Sequence, residues 1–230
     1  MKQLLVVVAI LVLSNLPGDR LSVMAATWSP VTLKIEHTWL RRSIDGMQGT
    51  VGNSLGTVVG PNLILTHGHF HVPLQSERSM ALRLLDNTGQ IIQFRRDEVQ
   101  QIILGRETTF IYLPSELPGT GAPLADRGTL DSLRAGEWVT VNYWDDTRGR
   151  GAQRRFQVVQ VQQDAATLAD PDLAINAGDS GGGVFFADSL IGTTSSIDVD
   201  SQDRPVGRVH VTLVTPGIRN LVQQYNALAP

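Results

Sequence analysis

From Thr27 onward, short apolar runs of two-residue period are cut at close intervals by turn residues, and this confines the chain to an all-β fold. Val31-Thr32-Leu33-Lys34-Ile35 alternates. Thr57-Val58-Val59 and Leu63-Ile64-Leu65 flank a Gly60-Pro61-Asn62 turn, and Met80–Leu85 and Ile91–Phe94 flank Asp86-Asn87-Thr88-Gly89. A second group comprises Trp138–Tyr143, Arg155–Val161, Gly183–Phe186, Leu190–Thr193 and Val209–Val214. A stretch rich in Pro, Gly and Ser, Pro114–Gly121, separates the groups, which predicts two packed β-barrels. A length of 230 residues, 42% hydrophobic and 18% charged, suits one two-lobed globular domain. The chain has no cysteine, so its core stands without disulfides and no thiolate metal site is available.

Both ends break the β pattern. Lys2 followed by the apolar run Leu4–Leu13 has the form of a signal-peptide core and is too short to span a bilayer comfortably. Residues 1–25 are therefore expected to be a signal peptide, or an amino-terminal anchor if uncleaved, and the protein to be secreted or extracytoplasmic. At the other end Thr215 suits an N-cap and Pro216 a first helical residue, with Ile218, Leu221, Val222, Tyr225 and Leu228 on one face. This predicts a terminal amphipathic helix packed on the second barrel.

The run Ala174-Ile175-Asn176-Ala177-Gly178-Asp179-Ser180-Gly181-Gly182-Gly183 places a serine among glycines just ahead of an apolar segment. A hydroxyl that attacks a carbonyl needs backbone N–H groups aimed at the oxyanion it creates. Gly178 can adopt the geometry that turns its own N–H and that of Ser180 toward one point, while Gly181 and Gly182 leave room for a substrate main chain. Upstream, Leu63-Ile64-Leu65-Thr66-His67-Gly68-His69 reads as a buried strand ending in a turn that carries a histidine, a suitable general base.

These segments resemble the chymotrypsin-like serine proteases. GPNLILTHGHF is similar to their G-x-x-L-T-A-A-H segment and AINAGDSGGG to their G-D-S-G-G segment. VVGPNLILTHGHF, PLADRGTLDSLRAGEWVTV and DLAINAGDSGGGVFFADSLIGTTSS resemble most the bacterial DegP/HtrA-like branch, over about Gly49–Ser196. The chain stops at its helix, so no appended PDZ module is expected. The resemblance implies two packed six-stranded antiparallel β-barrels followed by a C-terminal α-helix. The first lobe would span 26–118 and carry His69; the second, 119–230, would carry Ser180.

It further implies a secreted serine endopeptidase with Ser180 as nucleophile, His69 as general base, and the Gly178 and Ser180 amides as oxyanion hole. The third catalytic position departs from the family: the aspartate that heads a strand is replaced in Glu107-Thr108-Thr109-Phe110-Ile111-Tyr112-Leu113 by glutamate. Glu107 would orient His69, ahead of Asp97 and Glu98, which lack a following apolar strand. Ala174 maps to the base of the specificity pocket with Ile175 beside it, and Ser195, Ser196 and Ile197 to its wall. With no acid at the base, a small or medium apolar side chain is preferred over Lys or Arg. No Ile-Val-Gly-Gly activation end is present, so Asp179 is expected to bond within its own loop.

The same residues bear on other functional classes. His67, His69 and His71 alternate as in some metal sites, but the Asp-His that follows in metallo-hydrolases is absent, so no metal is expected and His67 and His71 read as partly exposed turn residues. Asp198 or Asp200 with His210 would complete an α/β-hydrolase order after Ser180, yet strand-like residues, not a helix, follow the serine. A net charge of -3 argues against a nucleic-acid partner. The partner expected is a polypeptide substrate, no cofactor is implied, and membrane contact would run only through an uncleaved amino-terminal segment. The alternative function is a catalytically impaired pseudoprotease of the same fold that binds peptides or a partner.

Overall fold

The computed structural model describes residues 32–69, 73–74, 76–86, 90–105, 107–117 and 121–228. The segment read as a signal peptide and His71 lie outside the described residues. No described helix is long and apolar enough to cross a membrane.

The first lobe comprises β1 (Thr32–Ser43), β2 (Gly46–Gly60), β3 (Leu63–His67), β4 (Ser79–Leu85), β5 (Ile91–Arg95), β6 (Gln100–Leu104) and β7 (Thr108–Tyr112). They form one curled antiparallel sheet in the order β5-β4-β1-β2-β3-β7-β6. Leu33, Ile35, His37 and Trp39 alternate inward along β1, as a strand with one buried face requires. Leu63, Ile64, Leu65, Phe110 and Ile111 complete the centre of this core, each side chain contributing about 1.5–3 kcal/mol by leaving water.

The second lobe contains β8 (Trp138–Asp145), β9 (Arg150–Val161), β10 (Ala165–Ala169), β11 (Gly183–Phe186), β12 (Ser189–Val199) and β13 (Pro205–Leu213). These close into a six-stranded barrel, β10-β13-β12-β11-β8-β9. A short helix, α1 (Arg127–Ser132), precedes it, and Asp126 accepts the Thr129 N–H at 2.7 Å as its N-cap. The two-lobed all-β architecture with a terminal helix is thus the one expected. The first lobe differs in having seven strands and edges β5 and β6 that are not paired with each other; the 3-10 turn Arg96–Glu98 joins them. β6 and β10 had no clear apolar alternation to announce them and form because their neighbours offer free edges.

Helix α2 (Pro216–Leu228) begins as the sequence predicts, with Thr215 Oγ1 accepting the Ile218 N–H at 3.3 Å. Its position corrects the expectation. Ile218 and Val222 pack into the core of the first lobe, not onto the second barrel, and Tyr225 stacks near Tyr112 at 5.5 Å. The physical reason is closure: the second barrel turns its apolar residues inward on themselves, whereas the open sheet of the first lobe leaves core to be covered.

The lobes meet along β2 and the loop before β11. The Leu55 N–H donates to the Ser180 carbonyl at 2.8 Å, and the Asn142 amide donates to Thr32 Oγ1 at 2.6 Å. Asn142 is fully buried, as is Thr32. Ser180 is in this way tied to the first lobe through its own backbone.

Candidate active site

Ser180 sits in the loop between β10 and β11, and His69 just beyond the end of β3. The structure brings them together: both line one cavity of about 240 Å³ with His37, Trp39, Asn53 and Gly178. Both also line a second of about 230 Å³ with Ile175, Ala177, Ser195 and Ile197. Ser180 Oγ donates to the Ser195 carbonyl at 3.1 Å. The His69 ring is exposed and lies 3.8 Å, centroid to centroid, from the ring of His67. His67 is itself buried in β3, which corrects its reading as a partly exposed turn residue.

The loop geometry around the serine follows from its glycines. Asp179 N–H donates to the Asn176 carbonyl at 3.1 Å, Gly178 has φ +106°, and Ala177 is not among the residues of positive φ. These features define a type II β-turn, in which the third residue must be left-handed. A type I turn would rotate the peptide before Gly178 by roughly half a turn and point its N–H the other way. Among the described residues, neither the Gly178 N–H nor the Ser180 N–H has an acceptor.

Gly181 and Gly182 serve a different purpose from the one expected. A Cβ on Gly181 would lie 2.0 Å from the Leu55 carbonyl oxygen, and one on Gly182 would lie 2.3 Å from that of Asn142. The close approach that requires glycine is that of the protein's own backbone, from both lobes, and not of a substrate chain.

Asp179 is buried, with Oδ1 accepting the Trp144 N–H at 2.7 Å and Oδ2 the Asn176 N–H at 2.8 Å. The bond to Asn176 lies within its own loop; the bond to β8 is an anchor that nothing in the sequence marks. Burial pushes its carboxyl up to about 6 against the lowering effect of these two bonds. Asp170, also buried, accepts the Ala174 and Ile175 N–H groups at 2.9 Å each and fixes the segment that leads into the site.

Of the residues expected to contact substrate, Ile175, Ser195, Ser196 and Ile197 line the second cavity. Ala174 does not: it packs against the core of the second lobe, of which Ile175 is a buried member that also lines the cavity. The reason is that Asp170 holds both backbone amides and so fixes which side chain faces the cavity.

Glu107 immediately precedes β7 and is exposed. It lines neither cavity with Ser180, but a third of about 630 Å³ that it shares with Ser195 and His210. Ser195 is thus common to this cavity and to the second one lined by Ser180. Asp97 and Glu98 are exposed in the Arg96–Glu98 turn, where Glu98 accepts the Arg95 N–H at 2.7 Å. His210 and Asp198 do meet, at 2.7 Å, but His210 borders the third cavity and not that of Ser180. Among the described residues no group of three or more His, Asp or Glu could hold a metal.

Solved structures of similar shape agree on the architecture. An inactivated protease paralogue of the scabies mite superposes with a TM-score of 0.62 at 12% identity, over 85% of this chain and 95% of that one. The collagenase termed HL collagenase gives 0.64 at 16% identity, over 87% and 95%. The fold is that of the chymotrypsin-like serine proteases. An HtrA-type protease solved with a decapeptide shares it with a TM-score of 0.60 at 13% identity, over 85% of this chain and 62% of that one. No family model and no curated protein matches the sequence. Within the chymotrypsin-like fold, His37, Trp39, Asn53 and Trp144 are the site residues that sequence reasoning missed. Each reaches the site through strand pairing or a backbone bond, for which a single sequence carries no signal.

Proposed function

We propose that the protein is an exported serine endopeptidase. Ser180 attacks the scissile carbonyl while His69 takes its proton and returns it to the leaving amine; the acyl-enzyme is then hydrolysed by water activated in the same way. The Gly178 and Ser180 N–H groups hold the oxyanion in both steps. The observation that carries this reading is the coincidence, at one cavity, of Ser180, His69 and two N–H groups without an acceptor among the described residues. Labelling the purified protein with a fluorophosphonate, followed by intact-mass and peptide analysis, tests it. A single adduct on Ser180, lost in His69→Ala, is expected; a folded protein that takes no adduct would refute the proposal.

The cavity formed by Ile175, Ala177, Ser195, Ser196 and Ile197 has no acidic side chain, which supports preference for a small or medium apolar residue before the scissile bond. The apolar run near the amino end supports export.

Glu107 is assigned to orient His69 by its place at the head of β7, whose first residue, Thr108, pairs with His67. Its exposure favours a second reading, a peptide-binding protein of impaired turnover. Glu107→Gln separates the two. If Glu107 fixes the imidazole, turnover of a peptide substrate drops by about tenfold or more, while Glu98→Gln changes it less than about twofold. Equal effects of the two substitutions remove Glu107 from the catalytic group.

A further inference from the structure

β3 ends on a buried imidazole. His67 is 4% exposed, while His69, two residues on, is exposed. The sheet holds the first of these firmly: β3 lies between β2 and β7, and His67 pairs with Thr108. His69 stands past the end of the ladder, separated from it by Gly68. The two rings are 3.8 Å apart, centroid to centroid, and inclined by 45°. Aromatic pairs commonly rest about 4.5–7 Å apart, so these rings are in van der Waals contact. A hydrogen bond between imidazoles runs from nitrogen to nitrogen near the ring planes and adds both ring radii to the bond length, which holds the centroids farther apart than this. His67 therefore covers part of one face of His69.

That contact lies where the proposed reaction puts charge. When Ser180 gives up its proton, His69 becomes an imidazolium. The two cavities that His69 shares with Ser180 are lined by no Asp, Glu, Lys or Arg among the described residues. Asp179, next to Ser180, turns its carboxylate to the Trp144 and Asn176 N–H groups, and Glu107 lines a cavity that Ser180 does not. His37 is the third imidazole of the first cavity, and its Nε2 lies 2.9 Å from Ser79 Oγ. Burial favours an uncharged His67 ring, and the face of an uncharged aromatic ring carries the negative lobe of its quadrupole. A cation within about 6 Å of such a ring's centroid is attracted to it.

We propose that His67 is a positioning residue for His69: its buried ring fixes the plane of the general base, and its face stabilises the imidazolium that forms there. The proposal rests on the peptidase reading above. It is independent of Glu107, because a carboxylate that orients an imidazole accepts an N–H in the plane of the ring, whereas His67 acts on a face. The nitrogen atoms of His67 take no part in the proton transfer. A flat, uncharged aromatic ring at this position therefore serves as well, and an aliphatic side chain of similar size does not.

Three substitutions test it. His67→Phe keeps a ring, His67→Leu keeps apolar volume without one, and Ile64→Val is a mild truncation within the same strand. Each is compared with wild type in turnover of a peptide with alanine before the scissile bond, in the rate of fluorophosphonate labelling, and in the NMR shifts of the His69 ring protons. His67→Leu is expected to lower kcat and the labelling rate by about tenfold or more while KM changes less than about threefold. His67→Phe should hold both rates within about threefold of wild type, and Ile64→Val within about twofold. The His69 ring protons should lie upfield in wild type and His67→Phe, under the current of the adjoining ring, and lose that shift in His67→Leu. Equal rates in His67→Leu and His67→Phe, with labelling still dependent on Ser180, overturn the proposal and leave the peptidase reading intact; so does a loss confined to KM. Should His67→Leu not fold, His67→Phe decides alone: a tenfold loss in that folded variant overturns the proposal, and near wild-type rates support it. If wild type neither cleaves nor takes a label, the peptidase reading fails, and the NMR shift decides. An upfield His69 ring that moves only in His67→Leu supports positioning by His67, and an unshifted one overturns it.

Discussion

Gly181→Ala is expected to cost the protein about 4 kcal/mol or more of stability, close to the whole margin of a small domain. Two terms add. The residue has φ +91°, where an L side chain pays about 1–2 kcal/mol. The new Cβ would also stand 2.0 Å from the Leu55 carbonyl oxygen and 2.4 Å from Thr66 Oγ1, itself bonded to that oxygen at 2.6 Å. Relief requires β2 and β3 to move away from the Ser180 loop, which breaks the Leu55–Ser180 bond and separates Ser180 from the strand that leads to His69. Gly136→Ala supplies the comparison: it has φ +95° but nothing within 4 Å of its Cβ, so only the conformational term applies. Unfolding free energies of the two variants, from denaturant melts, should therefore differ by about 2 kcal/mol or more. Equal losses would show that the backbone contact at Gly181 relaxes freely.

Asp179→Ala is expected to slow fluorophosphonate labelling of Ser180 by about 10²-fold or more, the scale of losing an oxyanion donor. The carboxylate joins the Asn176 turn to β8 through the Trp144 N–H, and without it the peptide before Gly178 has no reason to keep its type II orientation. Asp179→Asn keeps an acceptor for one of those N–H groups and should fall between. The acid also gives a pH signature. Its folded value, about 6, lies above the ordinary 3.8, so the native state holds the proton more tightly than the unfolded chain. Stability from this group is fully present below about pH 3.8 and is lost as pH rises through about 6. Relative to Asp179→Asn, the wild-type protein should lose roughly 2–3 kcal/mol between about pH 4 and pH 7.5. A stability difference independent of pH would show that Asp179 is not the desolvated acid described.

Alternation and turn residues made most of the strands legible, because burial of one face writes itself into a chain with period two. β1, β3, β8 and β13 follow directly from Leu33 and Ile35, Leu63–Leu65, Val139 and Val141, and Val209 and Val211. The capping of α2 was legible as well, since Thr215 and Pro216 act on neighbours within one turn. The face on which α2 packs was not. Ile218 and Val222 state only that some core must receive them, and the receiver is decided by which sheet fails to close.

The candidate site divides in the same way. Local sequence determined that Ser180 lies in a glycine-rich turn and His69 at a strand end, because a left-handed Gly178 and a buried run Leu63–His67 are short-range necessities. Tertiary structure alone decided the rest. It set Ile175 rather than Ala174 at the cavity, used Gly181 and Gly182 for the approach of two strands, tied Asp179 to Trp144, and left Glu107 exposed at a cavity that Ser180 does not line. Each of these depends on backbone atoms far apart in the chain. A backbone N–H or C=O is the same at every residue, so the sequence holds no mark of which distant one it will meet.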